Sequence, residues 1–329
     1  MRNALFPHME WAKAHSLYPL PVELGFSGAK APKGPAYREH GSGDPVLEGK
    51  IAKRYGVPKD HVYVVAGTSL ANFVAIAAFC DPGDTVAVET PRYAPLAEIP
   101  RGLGARIVDL PRIDRTIGTI PEGTSLVVVS TPHNPTGRLL ADVEWAELAR
   151  FADRGGVVLV DEVYRDLQAK PPKVAAARHP RFLTTSSLTK AYGLGALRVG
   201  WILGAPELLA AVRRADNVIS VQVATPAIQA ARRAWSRLDA LRMRALAPVK
   251  KNLAALRRSG LPFIEPQAGL TALVKVGDGD AVATALHSRG IGVALGSFFG
   301  APEYVRIYLG ADPEPFKQGI LALKAYCGL

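Results

Sequence analysis

Residues 187–201 read SLTKAYGLGALRVGW. Lys190 follows Ser187 by three positions on a turn that closes an apolar run, and Arg198 lies further on among glycines. An amine so placed can add to a carbonyl carbon and carry a proton. A guanidinium presents a planar fork of donors that matches phosphate or carboxylate, and glycine lets backbone approach a ligand closely. Four other clusters carry comparable chemistry. Gly67 and Thr68 follow HVYVVA and open a helical pattern, where free backbone N–H groups form an anion site. PHNPTG at residues 132–137 sets the Asn134 amide on a turn, and DEVY at residues 161–164 offers the Asp161 carboxylate and the Tyr164 phenol. Tyr93 lies in ETPRYAPL and Arg306 in YVRI. Each alone has a plainer reading: a solvated lysine, an N-cap at Thr68 or Asp161, a simple turn, a core tyrosine, a surface arginine on a strand edge.

The elements that must position these residues alternate. HVYVVAG, TVAVET, ARIVDL, SLVVVST, VVLVDE and RFLTTSS read as short buried strands. SLANFVAIAAFC and ADVEWAELARFADRGG read as helices, the first stopped by a DPGD turn and the second by glycine. Strands alternating with helices predict an α/β domain with a mostly parallel sheet covered on both faces. From about Pro206 to Ser259 the pattern turns helical, and LTALVKV, AVATALHSRG and YVRIYL then predict a smaller α+β domain. The expected division is an N-terminal arm with part of the small domain over residues 1–40, a large ligand-binding domain over 41–212, and a long helix with the small domain over 213–329. Open parallel sheets bind ligands beyond the carboxyl ends of their strands, and the reactive clusters follow those ends.

Composition narrows the function classes. Apolar residues at 48% and charged residues at 21% fit an ordinary soluble globular protein. The two cysteines, Cys80 and Cys327, form neither a disulfide framework nor a metal-binding pattern, which points to the cytoplasm and to no metal. The N-terminus lacks the apolar stretch of a signal peptide, and no apolar run is long enough for a membrane span. The net charge of +11 raises nucleic-acid binding, but the basic residues are dispersed in short pairs such as Arg213-Arg214 and Lys250-Lys251. A solvated basic helix face is the preferred reading, and its potential favours anionic small molecules.

In this order the clusters resemble the class I/II aminotransferase family, the fold-type-I enzymes that use pyridoxal 5′-phosphate. The likeness runs from about Pro35 to the C-terminus. It rests on NPTG at 134–137, D-x-x-Y at 161–164, S-x-x-K at 187–190, R-x-G at 198–200 and YVRI at 304–307. It implies an aspartate-aminotransferase-like fold and gives the residues roles. Lys190 holds the cofactor aldehyde as a Schiff base and acts as the catalytic base. Arg198, Ser187, Gly67 and Thr68 bind its phosphate. Asp161 pairs with the pyridinium nitrogen, so that the ring accepts electrons. Asn134 and Tyr164 bond its phenolic oxygen, and Tyr93 stacks on the ring. Arg306 binds the substrate α-carboxylate, with Asn134 beside it. Tyr37 is the candidate to reach the phosphate of a neighbouring subunit in a homodimer with shared active sites. The implied reaction is ping-pong transfer of an amino group between an L-amino acid and a 2-oxo acid.

Relatives acting on phosphorylated substrates usually carry an arginine shortly before the carboxylate arginine, where this chain has Ala294 in GIGVAL. The following GSFFG is closer to the aspartate, alanine and aromatic aminotransferases. An unphosphorylated amino acid is therefore the expected substrate. A carbon–sulfur lyase, an amino-acid decarboxylase and histidinol-phosphate aminotransferase stay as alternatives. A non-enzymatic regulator is disfavoured, since Lys190 and Asp161 are both present and no DNA-binding module precedes the domain.

Overall fold

The computed structural model describes residues 44–113, 116–220 and 222–328. Seven strands form the larger sheet: β1 (Val62–Val65), β2 (Thr85–Thr90), β3 (Arg106–Pro111), β4 (Thr124–Ser130), β5 (Val157–Asp161), β6 (Phe182–Ser187) and β7 (Gly200–Leu203). Their order is β1-β7-β6-β5-β4-β2-β3. The pairs among β2 to β6 are parallel, whereas β7 runs antiparallel to both β6 and β1. All residues of β5 and β6 are buried, which explains their unbroken apolar and hydroxyl-bearing sequences.

Alternation along β1 shows why both faces need cover. Tyr63 and Val65 join one core with helices α2 (Thr68–Phe79), α3 (Pro95–Gly102) and α5 (Pro206–Asp216). Val62 and Val64 join another with α1 (Pro45–Tyr55), α6 (Thr225–Ala234) and the start of α7 (Leu238–Arg258). Helix α4 (Asp142–Asp153) covers β4 and β5 through Leu148, Phe151 and Ala152. Local signals set the ends of α1: Asp44 accepts a hydrogen bond from Leu47 N at 2.7 Å, and Gly56 closes the helix in the left-handed region.

The smaller sheet is antiparallel, in the order β10-β11-β9-β8, from β8 (Phe263–Ile264), β9 (Thr271–Lys275), β10 (Ala294–Leu295) and β11 (Tyr304–Tyr308). Helices α8 (Gly279–His287) and α9 (Pro313–Tyr326) pack with it. Helix α7 belongs to both cores, with Leu238 against the large sheet's helices and Leu256 against the small sheet. A mostly parallel sheet with a smaller α+β unit is the expected architecture. Two details differ. The helical stretch after Pro206 is three helices: α5 ends at Asp216, residues 217–220 and 222–224 are not helical, and Pro226 starts α6 afresh. The apolar run after Arg198 is β7, whose four residues are too few to show a period.

Candidate active site

The parallel strands end on one edge, and the loops leaving that edge enclose a cavity of about 240 Å³. The end of β4 contributes Ser130 and its loop Asn134. The end of β5 contributes Asp161, Val163 and Tyr164, and the turn after β6 contributes Thr189 and Lys190. The head of α2 adds Thr68, Ser69 and Asn72, the segment after β2 adds Tyr93 and Leu96, and Arg198 precedes β7. Arg306, from the small sheet, completes the wall. Eight of the ten residues expected from sequence thus line one cavity. Gly67 and Ser187 do not line it, and Tyr37 lies outside the described residues.

Asp161 is 6% exposed, and each of its oxygens accepts one hydrogen bond. Asn72 Nδ2 donates to Oδ2 at 2.8 Å, and Val163 N donates to Oδ1 at 3.0 Å. Burial raises its pKa to about 6 against the Asn72 and Val163 hydrogen bonds; Glu89 adds to the rise and Lys190 opposes it. Tyr164 is also buried, and its phenol is pushed up by that burial against the pull of Arg306.

Asn134 and Arg306 meet although 172 positions separate them: Arg306 Nη1 donates to Asn134 Oδ1 at 2.8 Å. The Arg306 guanidinium also lies 4.5 Å from the centre of the Phe299 ring. Burial lowers its pKa from the ordinary arginine value, and Tyr164 and Tyr93 oppose that. Asn134 N donates to Ser130 Oγ at 3.4 Å, and that hydroxyl donates to buried Glu89. Glu89 accepts in turn from Arg112, which also reaches Glu144 Oε1 at 3.2 Å. His133 stands behind this loop. Its Nε2 is 2.7 Å from the Pro91 carbonyl, which can only accept, so Nε2 carries the proton and Nδ1 accepts from Thr136 Oγ1 at 2.7 Å. Burial holds its pKa well below the usual histidine value.

At the other end of the cavity, Arg198 has φ +50°, alone among the described non-glycine residues in the left-handed region. Its guanidinium lies so near Gly67 that a Cβ there would come within 2.8 Å of Nη2. A Cβ on Gly200 would come within 2.7 Å of the Gly67 carbonyl carbon, so the glycine of R-x-G lets β7 pack against the start of α2. The Thr68 hydroxyl is buried at the head of α2 with no hydrogen-bond partner among the described residues. An orphaned hydroxyl, a helix N-terminus and a guanidinium form an anion cradle. Ser187 Oγ accepts from Thr189 N at 3.2 Å and shapes the turn bearing Lys190, with its own proton left to donate. That turn is braced further on: Tyr192 donates to Asp166, which also accepts from Tyr55 at 3.1 Å and from Arg165 at 2.6 Å.

Reading the sequence did not single out Asn72, Ser130 or the buried charges behind them. Asn72 had a signal, being the one polar residue in the run LANFVAIAAF. Among the described residues, no cluster of histidine, cysteine, aspartate or glutamate could hold a metal ion, and no helix is long and apolar enough to cross a membrane.

The sheet order, the small second sheet and the edge where the cavity lies define the aspartate-aminotransferase-like fold. The aspartate aminotransferase of Thermotoga maritima superposes with a TM-score of 0.81 at 20% identity, over 99% of this chain and 90% of that one. The family model for aminotransferase class I and II matches residues 35–323, and the chain belongs to that family. It is 31% identical over 298 residues to a histidinol-phosphate aminotransferase of Ralstonia nicotianae, spanning 85% of this chain and 78% of the relative. It is 29% identical over 277 residues to an aspartate aminotransferase of Thermococcus kodakarensis, spanning 80% and 73%. Family and fold are those of pyridoxal-phosphate-dependent transaminases, and transamination is the reaction class of this enzyme.

Proposed function

We propose that this enzyme binds pyridoxal 5′-phosphate and moves an amino group between an unphosphorylated L-amino acid, such as aspartate, alanine or an aromatic amino acid, and a 2-oxo acid. The observation that carries this is the single cavity holding Lys190, Asp161, Arg198 and Arg306. The residues fit the cofactor. Arg198, Thr68 and the backbone at Gly67 form the phosphate cradle, and the turn set by Ser187 presents Lys190 for covalent attachment. Asp161 answers a protonated ring nitrogen, Asn134 and Tyr164 a phenolic oxygen, and Tyr93 at the mouth supplies a stacking surface. When bound, the cofactor supplies the carbonyl that takes up the amino group and a ring that accepts electrons.

The protein's own groups perform the rest. Arg306 binds the substrate α-carboxylate with the donors not given to Asn134, and Phe299 and Asn134 keep its fork in place. Fixing the carboxylate fixes the remaining bonds on Cα and thereby selects the one that breaks. The Lys190 amine removes the Cα proton and returns it on the far side of the transferred nitrogen. The same site serves donor and acceptor in turn, which makes the kinetics ping-pong.

The register of the small sheet supports the substrate class. Arg306 is flanked across the strands by Ala294 on β10 and Leu273 on β9, so neither neighbouring position supplies a second cation for a doubly charged phosphate. The second reading, a phosphorylated substrate, rests on the likeness to the Ralstonia histidinol-phosphate aminotransferase. His133 supplies no further acid or base for a lyase reaction, because both of its ring nitrogens are engaged outside the cavity wall. A cytoplasmic homodimer completes the proposal. Tyr93 and Tyr308, on segments that bear cavity residues, and Phe298, next to the Phe299 that stands against Arg306, expose large apolar surfaces, the kind a second subunit covers.

The test is a donor and acceptor screen on protein purified with the cofactor, together with borohydride reduction and peptide mapping. Label on Lys190 and 2-oxo acid from an L-amino acid are expected. Label on another lysine, or ammonia or CO₂ as the main product, overturns the assignment. Faster turnover of histidinol phosphate than of any amino acid establishes the second reading instead.

A further inference from the structure

Resting on that reading, we infer that Asn72 is the positioning residue for Asp161, fixing how its carboxylate is presented to the ring nitrogen of the cofactor. Asn72 stands four positions after Thr68 in α2, so both occupy the helix face toward the cavity. One helix therefore serves both ends of the ligand, the phosphate at its N-terminus and the ring nitrogen one turn further on.

Three buried side chains make the device. Asp161 and Thr185 are paired positions on β5 and β6, and Asn72 bridges them from the helix above. Asn72 is 2% exposed and Thr185 is fully buried. Thr185 Oγ1 donates to Asn72 Oδ1 at 2.6 Å, and Asn72 Nδ2 donates to Asp161 Oδ2 at 2.8 Å. An ionised carboxylate has no proton to give, so the amide nitrogen must face it, and the threonine hydroxyl suits that orientation. With Val163 N on the other oxygen, each carboxylate oxygen keeps lone pairs for a ligand. The rest of residues 70–79 is apolar, and leucine would pack there without the desolvation cost of an amide.

Opposing influences act on the Asp161 charge, burial foremost. Burial and Glu89 on β2 oppose its charge, while Lys190 and the two hydrogen bonds favour it. Removing the Asn72 donor tips the carboxyl toward its neutral form, which cannot pair with a protonated ring nitrogen. This donor is itself neutral at every ordinary pH, so its effect does not titrate away.

The experiment uses Asn72→Leu and the smaller Asn72→Ala, with two readouts besides turnover. In cofactor-free protein carrying ¹³C-labelled aspartate, the Asp161 carboxyl should titrate at higher pH in both variants than in wild type. In reconstituted protein, the dissociation constant for pyridoxal 5′-phosphate should rise about tenfold or more, as loss of a hydrogen bond to a charged group implies. Borohydride should still label Lys190. If Asn72→Leu does not fold, Asn72→Ala carries the test. An unmoved Asp161 titration and a dissociation constant within about twofold of wild type overturn the proposal. Should wild-type protein fail to take up the cofactor, the functional reading falls, while the carboxyl titration still decides whether Asn72 governs Asp161.

Discussion

Replacing Asp161 by asparagine should make the cofactor-free protein more stable while making the enzyme nearly inactive. The carboxylate is buried, and its pKa stands at about 6 in the fold against 3.8 for the free group. A shift of about two pH units is worth ~3 kcal/mol at ~1.4 kcal/mol per unit. The folded protein holds this proton more tightly than the unfolded chain does. The group therefore costs nothing below pH 4, where both states are protonated. Its cost grows as pH rises and is complete above about pH 6. Asparagine carries no charge to desolvate. The network can accommodate it: if the Asn72 amide turns over, its Oδ1 accepts from the new amide and its Nδ2 donates to Thr185. The variant should melt a few degrees above wild type at pH 7.5 and together with it near pH 3.5, by differential scanning calorimetry of cofactor-free protein. Adding pyridoxal 5′-phosphate should reverse the order, because a protonated ring nitrogen compensates only the carboxylate. Turnover should fall by orders of magnitude. A variant that melts with or below wild type across pH 5–8 would refute the burial argument, and near-normal turnover would leave Asp161 a purely structural role.

Two further outcomes follow from the same geometry. Arg306→Lys keeps the charge but loses the fork, the Asn134 hydrogen bond and the stacking on Phe299, a loss of ~2–3 kcal/mol. Steady-state kinetics should show kcat/KM falling about 30- to 200-fold for every amino acid and 2-oxo acid alike, with amines lacking a carboxylate nearly indifferent. Gly67→Ala puts a Cβ 2.8 Å from Arg198 Nη2 at a residue whose φ is +87°. Equilibrium dialysis should show pyridoxal 5′-phosphate bound about tenfold or more weakly, with transamination recovering at saturating cofactor.

The parts of the fold that could be read from sequence are those whose burial is uniform. Strands such as VVLVD and FLTTSS lie in the middle of the sheet, so their composition reports their position directly. β7 could not be read, since four residues antiparallel to both neighbours carry no pattern of their own. Lys190, Asp161 and Asn134 could be read because each lies at or just past the end of a parallel strand, where the topology gathers side chains. Long-range partners could not. Asn72 meets Asp161 across 89 positions, and Ser130 meets Glu89 across 41. Ser187 carries a local role that its motif position does not announce, for its hydroxyl oxygen accepts from the backbone of Thr189.

The link from Arg306 to the large sheet explains why the enzyme keeps charges in its core. A guanidinium on the small sheet is a useful carboxylate clamp only if it stays put, since immobilising a long side chain at the moment of binding subtracts from affinity. Phe299 supports it on one side and Asn134 on the other. Asn134 lies on a loop, and a loop holds such a position only if its own backbone is held. Ser130 does this from the end of β4, and Glu89 and Arg112 anchor Ser130. A buried ion pair rarely adds stability over apolar packing. Here its value is directional: the ion pair fixes the hydroxyl, the hydroxyl fixes the loop, and the loop fixes the arginine that reads the substrate.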